Sequence, residues 1–334
     1  MAAYKAKQIL LAKRPKGMPT LENFKFQEID VPEPALNEVL IKTLYVSVDP
    51  YMRGRMSDRE SYVPPFELHK VISGGVVGEV IESKSPDFNK GDFVVGQLGW
   101  QTYQLVQSEE IRKIDENLAP ITAHLGVLGM PGLTAYFGML DIGQPKNGET
   151  VVISGAAGAV GSTAGQIAKI KGARVIGIAG TKEKLSFLKN ELGFDEVINY
   201  KEYDVYKQLK NACPNGIDVY FDNVGGEISD AVMKQINHQA RIVICGQISL
   251  YNLEKADVGP RPQTQLVIKS ALMKGYIVSD YASQFKDAAE ELAQWMQAGQ
   301  IKYRETIIEG FERIPEAFLG LFKGDNIGKY LVKI

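Results

Sequence analysis

The clearest chemical signal in the chain is the run Gly155-Ala156-Ala157-Gly158-Ala159-Val160-Gly161. The apolar run Val151-Val152-Ile153-Ser154 leads directly into it, and Val160, Ala164, Ile167 and Ala168 recur behind it at helical spacing. A glycine-rich turn between a strand and a helix is the arrangement that cradles a dinucleotide pyrophosphate. At Gly158 the backbone can approach the phosphates because no Cβ stands in the way, and at Gly161 the helix can pack closely on the strand. The helix N-terminus adds free N–H groups and partial positive charge. Ala156 stands where the standard pattern has its first glycine, which a tight turn accepts if φ stays negative there. The same residues also read as a tight strand–helix turn without a ligand. Their place in a longer alternation of strands and helices favours the nucleotide.

The kind of nucleotide is decided further along. An NAD site places Asp or Glu about 20 residues past the glycines, at the tip of the second strand, to accept from the ribose 2′-OH. Here that strand ends Ile178-Ala179-Gly180-Thr181-Lys182-Glu183-Lys184, with no acid at its tip and two lysines opening the next helix. A 2′-phosphate is repelled by an acid and attracted by a lysine. Lysines are unfavourable at a helix N-terminus on dipole grounds, which argues for a functional cause over a merely solvated helix start. NADP(H) is expected over NAD(H).

These groups need a scaffold, and the chain supplies one. From Gly148 to about Ser279, short apolar runs alternate with longer amphipathic stretches. The runs are Val151 to Ser154, Arg174 to Ala179, Glu196 to Tyr200, Val219 to Val224, Arg241 to Gly246 and Gly275 to Val278. Several are rich in Val and Ile without strict alternation, as parallel strands buried on both faces are. Gly172 is placed to end the first helix, Lys182 to Leu192 reads as a second, and Phe285, Ala289, Leu292 and Met296 form a stripe closed by Gly299. The expected fold class is α/β, with six strands in a doubly wound parallel sheet. Before about position 143 the apolar segments are short and punctuated by Pro and Gly, as in Val31-Pro32-Glu33-Pro34, Val39 to Val46, Gly74 to Ile81 and Gly91 to Gly96. That pattern predicts a mostly β domain. Thr306 to Gly310 and Lys329 to Ile334 read as strands returning to it.

Bulk properties fit two domains. At 334 residues the chain exceeds the size at which single cores stop growing, roughly 250–300 residues. A net charge of −2 gives no reason to expect nucleic acid or an anionic membrane as partner. No apolar run approaches the roughly 18–20 residues that span a bilayer, and Met1 to Arg14 lacks the apolar core and cleavage site of a signal peptide. Two cysteines, Cys213 and Cys245, exclude a disulfide framework and fit a reducing, cytoplasmic location. With His69, His124 and His238 scattered and no C-x-x-C spacing, no metal site is expected.

Segments along nearly the whole chain resemble the zinc-independent branch of the medium-chain dehydrogenase/reductases. They are Val48-Asp49-Pro50-Tyr51-Met52-Arg53-Gly54, Gly129-Met130-Pro131-Gly132-Leu133-Thr134-Ala135-Tyr136, the glycine turn, Tyr220-Phe221-Asp222-Asn223-Val224-Gly225-Gly226, Cys245-Gly246-Gln247-Ile248-Ser249-Leu250-Tyr251-Asn252 and Gly324-Asp325-Asn326-Ile327-Gly328-Lys329. Within that branch the chain is similar to prostaglandin reductases, plant double-bond reductases and bacterial curcumin-reductase-like enzymes. The resemblance implies a Rossmann nucleotide domain over residues 129–299 and a GroES-like substrate domain over residues 1–128 with 300–334.

It also implies roles. Ala157, Gly158, Ala159 and Val160 would hold the pyrophosphate and Lys184 the 2′-phosphate, with Tyr200 and Asn223 beside the cofactor. Cys245, Gly246, Ile248, Ser249 and Tyr251 would pass along it, Ile277 and Val278 would flank the nicotinamide, and Asn326 would close the far side. Tyr51 and Tyr251 match tyrosines near an enone carbonyl. The zinc-bearing branch carries a Gly-His-Glu motif where this chain reads Ser73-Gly74-Gly75-Val76-Val77-Gly78-Glu79, without histidine. Alcohol oxidation without zinc lacks its Lewis acid, whereas an already polarised C=C bond needs none. The expected reaction is NADPH-dependent reduction of the C=C bond of an α,β-unsaturated ketone or aldehyde. A tyrosine O–H, from Tyr251 or Tyr51, would stabilise the developing enolate. Reduction of quinones on the same fold, and a non-catalytic NADPH-binding protein, are the other readings. For either tyrosine, a packing role with a satisfied hydroxyl stays open. The resemblance further implies a homodimer, for which the run Gly275 to Val278 is the natural edge strand.

Overall fold

The structure is a computed structural model that describes residues 4–334. The chain runs through β1 (Tyr4–Leu11), β2 (Phe24–Val31), β3 (Glu38–Ser47), α1 (Met52–Arg55), β4 (Ser73–Ser83), β5 (Phe93–Gly99), β6 (Tyr103–Gln107) and β7 (Ile111–Lys113). It continues through α2 (Met130–Phe137), β8 (Thr150–Ile153), α3 (Ala159–Ile170), β9 (Arg174–Ala179), α4 (Lys182–Ser186), β10 (Glu196–Asn199) and α5 (Val205–Ala212). Then come β11 (Ile217–Asp222), α6 (Gly226–Met233), β12 (Ile236–Ile244), α7 (Gln263–Lys269), β13 (Leu272–Gly275) and α8 (Phe285–Gln297). It ends with β14 (Glu305–Glu309), α9 (Ile314–Lys323) and β15 (Lys329–Lys333). Two compact units result. One holds the chain up to Leu125 together with Glu305–Ile334, and the other holds Gly126–Arg304.

The first unit is built on an antiparallel sheet in the order β14-β15-β3-β4-β5-β7, with β6 also pairing β3. Only β14 and β15 run parallel to each other. A separate hairpin pairs β1 with β2 from Tyr4↔Val31 to Leu11↔Phe24. Its inward residues Ile9, Leu11 and Phe24 join Val39, Ile41, Val76, Trp100 and Phe318 in one core. Each such fully buried side chain contributes roughly 1.5–3 kcal/mol. Strand β15 pairs with β3 through Leu331↔Ser47, so the start of β15 and the end of β3 meet at one end of these paired strands.

The second unit is a six-stranded, wholly parallel sheet in the order β10-β9-β8-β11-β12-β13. Strand order reverses between β8 and β11, and ligands of open α/β sheets bind beyond the carboxyl ends of the strands at such a point. Val152, Ile176, Ile178, Tyr220 and Ile242 form its core, which accounts for the unalternated apolar runs. Helix α3 ends at Ile170 and is capped by Lys171, and Gly172 just beyond takes φ +82°. The expected helix from Lys182 to Leu192 is α4 followed by a wider π-type turn over Phe187–Glu191. The edge strand differs from the sequence reading. It occupies Leu272–Gly275 rather than Gly275 to Val278, because its partner β12 ends at Ile244, opposite Gly275, and offers no ladder beyond.

Candidate functional site

The glycine-rich turn lies at the carboxyl end of β8. Gly155 takes φ +59°, Ala156 donates its N–H to Ile178 O at 3.1 Å, and Gly158 donates to Gly155 O at 3.1 Å. Ala156 is not among the residues with positive φ, so alanine is unstrained there. The other two glycines act differently. A Cβ on Gly161 would lie 2.5 Å from Gly155 O and 2.8 Å from Ala156 Cα, so α3 packs against the turn only without one. A Cβ on Gly158 would meet nothing closer than Gly155 O at 3.4 Å, so that face of the turn is open. Gly158 caps α3 without a side-chain acceptor, and the first helical bond runs from Ser162 N–H to Gly158 O at 2.9 Å. The N–H groups of Ala159, Val160 and Gly161 precede that bond, in the position that receives phosphate oxygens. This cradle fits a dinucleotide.

The tip of β9 fits a 2′-phosphate. Thr181 caps α4 by accepting from the Lys184 N–H at 3.3 Å, and the Lys184 side chain is half-buried. A Cβ on Gly180 would come within 2.8 Å of the Tyr200 ring and 3.0 Å of Lys201 Cε. Tyr200 lies one residue past the end of β10 and is exposed, and the Lys201 ammonium stands 6.0 Å from its ring centroid. Lys201 escaped the sequence reading because only the folded β9–β10 pairing brings it beside Gly180.

Asp222, the last residue of β11, also escaped notice. Its buried carboxylate accepts from Ser154 Oγ at 3.0 Å, from Tyr220 Oη at 2.9 Å and from the N–H groups of Val224 and Gly225 at 2.9 Å, and Ser229 bonds its other oxygen. Its backbone carbonyl accepts from Cys245 and Gly246 N–H at 2.9 and 3.1 Å. One residue thus knits the ends of β8, β11 and β12. A signal was present: an acid closing an apolar strand just before the Gly225-Gly226 pair. Asn223 donates its side-chain amide to Ser154 O at 2.8 Å and its N–H to Ser154 Oγ at 3.0 Å.

The segment after β12 is fastened to the same place. Ile248 N–H bonds Asn223 O at 3.3 Å, and the Ser249 hydroxyl donates to Val224 O at 2.6 Å. Tyr251 follows a short 3-10 turn over Ile248–Leu250, and its hydroxyl lies 3.0 Å from where a Gly246 Cβ would be. Its oxygen accepts from Gln247 N–H at 3.4 Å, leaving its own proton to donate. Burial raises the Tyr251 pKa, and the nearby Cys245 and Asp222 raise it further against the opposing Gln247 bond. The Cys245 thiol is pushed up to about 12 by burial, which leaves it an inert neighbour. Ile277 and Val278 stand just past β13, half-buried.

In this unit Ala157 to Val160, Lys184, Tyr200, Asn223, Cys245, Gly246, Ile248, Ser249, Tyr251, Ile277 and Val278 all follow the carboxyl ends of the parallel strands. Tyr51 and Asn326 belong to the other unit, near where β3 ends and β15 begins. Tyr51 is half-buried, and its hydroxyl donates to Gln97 Oε1 at 3.4 Å beside Arg55. Burial and the Asp49 charge hold its pKa well above the usual tyrosine value. Asn326 donates to Gly328 O at 2.7 Å. Among the described residues no cluster of three or more His, Cys, Asp and Glu side chains is placed to hold a metal ion.

A parallel sheet with a phosphate-binding turn at its switch point, in a chain that also carries a separate antiparallel unit, defines a two-unit dinucleotide-binding oxidoreductase. Residues 7–114 match the family described as the N-terminal domain of oxidoreductase, and residues 159–295 match the one described as zinc-binding dehydrogenase. The chain is 45% identical to the NADPH-dependent curcumin reductase of Escherichia coli, over 97% of this chain and 96% of that protein. It is 42% identical to the NADP(+)-dependent 2-alkenal reductase of Nicotiana tabacum, over 98% and 97%. The crystal structure of CurA in complex with NADPH from Vibrio vulnificus matches with a TM-score of 0.93 at 47% identity, covering 98% of each chain. The chain belongs to the zinc-independent medium-chain dehydrogenase/reductase family. No helix among the described residues is long and apolar enough to cross a membrane.

Proposed function

We propose that the chain is an enzyme that uses NADPH to reduce the C=C bond of α,β-unsaturated ketones or aldehydes. The observation that carries this reading is the Tyr251 hydroxyl. It is held protonated, and its proton is left to donate beside the strand ends that form the nucleotide cradle. When bound, NADPH supplies the hydride that reduces the β-carbon. The chain's own groups do the rest. The Ala157 to Val160 backbone and the α3 N-terminus hold the pyrophosphate. Lys184, joined by Lys201 and Tyr200, takes the 2′-phosphate. Asn223, Cys245, Gly246, Ile248, Ser249, Ile277, Val278 and Asn326 line the cofactor, and Gly126–Arg304 is the nucleotide domain. The other unit is the substrate domain and contributes Tyr51. An O–H from Tyr251 or Tyr51 stabilises negative charge on the substrate carbonyl oxygen as it develops.

The test is steady-state turnover with NADPH, an enone and a quinone side by side, for the natural chain and for Tyr251→Phe. Turnover of the enone with a loss of about 10²–10³ in rate for Tyr251→Phe is expected. Faster turnover of the quinone, or none of either, would replace this reading with a quinone reductase or a binding protein. We further propose a cytoplasmic homodimer. β13 is the outer strand of its sheet with Leu272 exposed, and an open strand edge is a template for a second chain. Light scattering on the purified chain reads the mass directly.

A further inference from the structure

The corner from Ser47 to Tyr51, between β3 and α1, holds charges that a surface link does not need. The side chains of Lys329 and Asp49 are only 5% and 8% exposed, and the ammonium meets the carboxylate directly. Lys329 Nζ also donates to Val48 O at 3.2 Å, and the Ser47 hydroxyl bonds the other Asp49 oxygen. Val48 N–H reaches Tyr330 O at 3.4 Å. Glu305, paired with Lys329 across β14 and β15, is the second acid near the ammonium. Burial raises its pKa, against the opposing Thr122 bond and the Lys329 charge, while the direct ion pair of Lys329 is with Asp49.

A buried ion pair adds little net stability, because desolvation cancels most of the attraction. It does impose direction, since an ammonium bonded to a carbonyl and a carboxylate fixes both. Met52 N–H bonds Asp49 O at 3.2 Å and Gly54 N–H bonds Tyr51 O at 3.0 Å, so any shift at Asp49 passes into the first turn of α1 and carries Tyr51 with it. The Asn326 segment is secured separately. Its amide bonds Gly328 O, and Thr306 Oγ1 bonds both the N–H and the O of Ile327.

We propose that Lys329 is a positioning residue for the reaction: through Val48 O and Asp49 it aims the Tyr51 hydroxyl. This rests on the role given to Tyr51 above. The experiment is a kinetic cycle on the full-length chain with NADPH and an enone, using Tyr51→Phe, Lys329→Met and both together. A displacement of about 1 Å in a positioned group costs about 10²-fold in rate, so a loss of that order in kcat is expected for Lys329→Met. NADPH affinity, read by nicotinamide fluorescence, should stay within about threefold, because the cradle lies elsewhere. The double variant should be no slower than Tyr51→Phe alone, since the two residues act through one hydroxyl. The apolar pair Asp49→Leu/Lys329→Met should melt like the natural chain yet remain slow, and it replaces Lys329→Met in the cycle if that variant does not fold. Natural kcat in the folded pair variant, or losses that multiply in the cycle, would overturn the proposal. Natural kcat in Tyr51→Phe overturns the Tyr51 role instead, and this proposal with it. The two failures differ in whether Tyr51→Phe alone is slow.

Discussion

The β8–α3 turn and the β3–α1 corner are both short irregular links that leave the carboxyl end of a strand, and they are held by opposite means. The turn is held by what it lacks. Gly161 admits the helix, Gly155 takes a positive φ, and Ala156 and Gly158 are fastened by bonds between backbone groups. Its N–H groups at Ala159 to Gly161 point out of the helix start, ahead of the first helical bond. The corner is held by buried charged side chains, with Lys329, Asp49 and Ser47 turned on one another. The difference follows from what each presents. A segment that takes an anionic group keeps side chains away and leaves donors open. A segment that offers one neutral hydroxyl spends its charges inward.

The largest effect that can break this comparison lies at the corner. Lys329→Met alone leaves the Asp49 carboxylate buried without its cation and should cost about 3–5 kcal/mol in chemical denaturation. A single variant as stable as the natural chain would mean that the pair is not the fastening. At the turn, Gly161→Ala puts a Cβ 2.5 Å from a backbone oxygen that cannot swing away. Overpacking of that kind costs about 1–3 kcal/mol, and NADPH binding should weaken along with the melting temperature. Gly158→Ala is the contrasting change. The added methyl meets only ordinary contact at 3.4 Å, and Gly158 already has extended backbone, so stability should not move. The methyl occupies the open face of the turn, and NADPH affinity should fall about tenfold, or about 1.4 kcal/mol, in a fluorescence titration. A lower melting temperature with unchanged affinity would show that the open face of Gly158 is not the phosphate side.

The two regions were also unequally legible in the sequence. The turn could be read because its signals are local: an apolar strand, glycines at set offsets and a helical stripe lie within one stretch of chain. The parallel strands were legible for the same reason, down to matching bounds at Arg174–Ala179. The corner was not. Tyr51 and Asp49 drew attention only through a resemblance, and the partner of Asp49 lies 280 residues away. Lys201 was invisible until β10 lay beside β9, and Asp222 carried a local signal whose meaning shows only where β8, β11 and β12 end together. The misplaced edge strand has the same origin. Composition marks an apolar run, but the end of the neighbouring strand decides where a ladder stops.

The smallest expected effect compares the two tyrosines by pH. Burial comes first in raising both, followed by Asp49 for Tyr51 and by Cys245 and Asp222 for Tyr251. A phenol whose folded pKa lies above its unfolded value of about 10 adds stability that is fully present below that value and is lost as pH climbs through the folded pKa. Both hydroxyls therefore keep their protons across the neutral and mildly alkaline range. Neither kcat nor the melting temperature should change through them between about pH 7 and about pH 9. A falling alkaline limb with a midpoint near pH 8.5, abolished by Tyr251→Phe and kept in Tyr51→Phe, would mean that Tyr251 reacts as a phenolate. The donor role would then pass to Tyr51, and the corner rather than the strand ends would carry the chemistry.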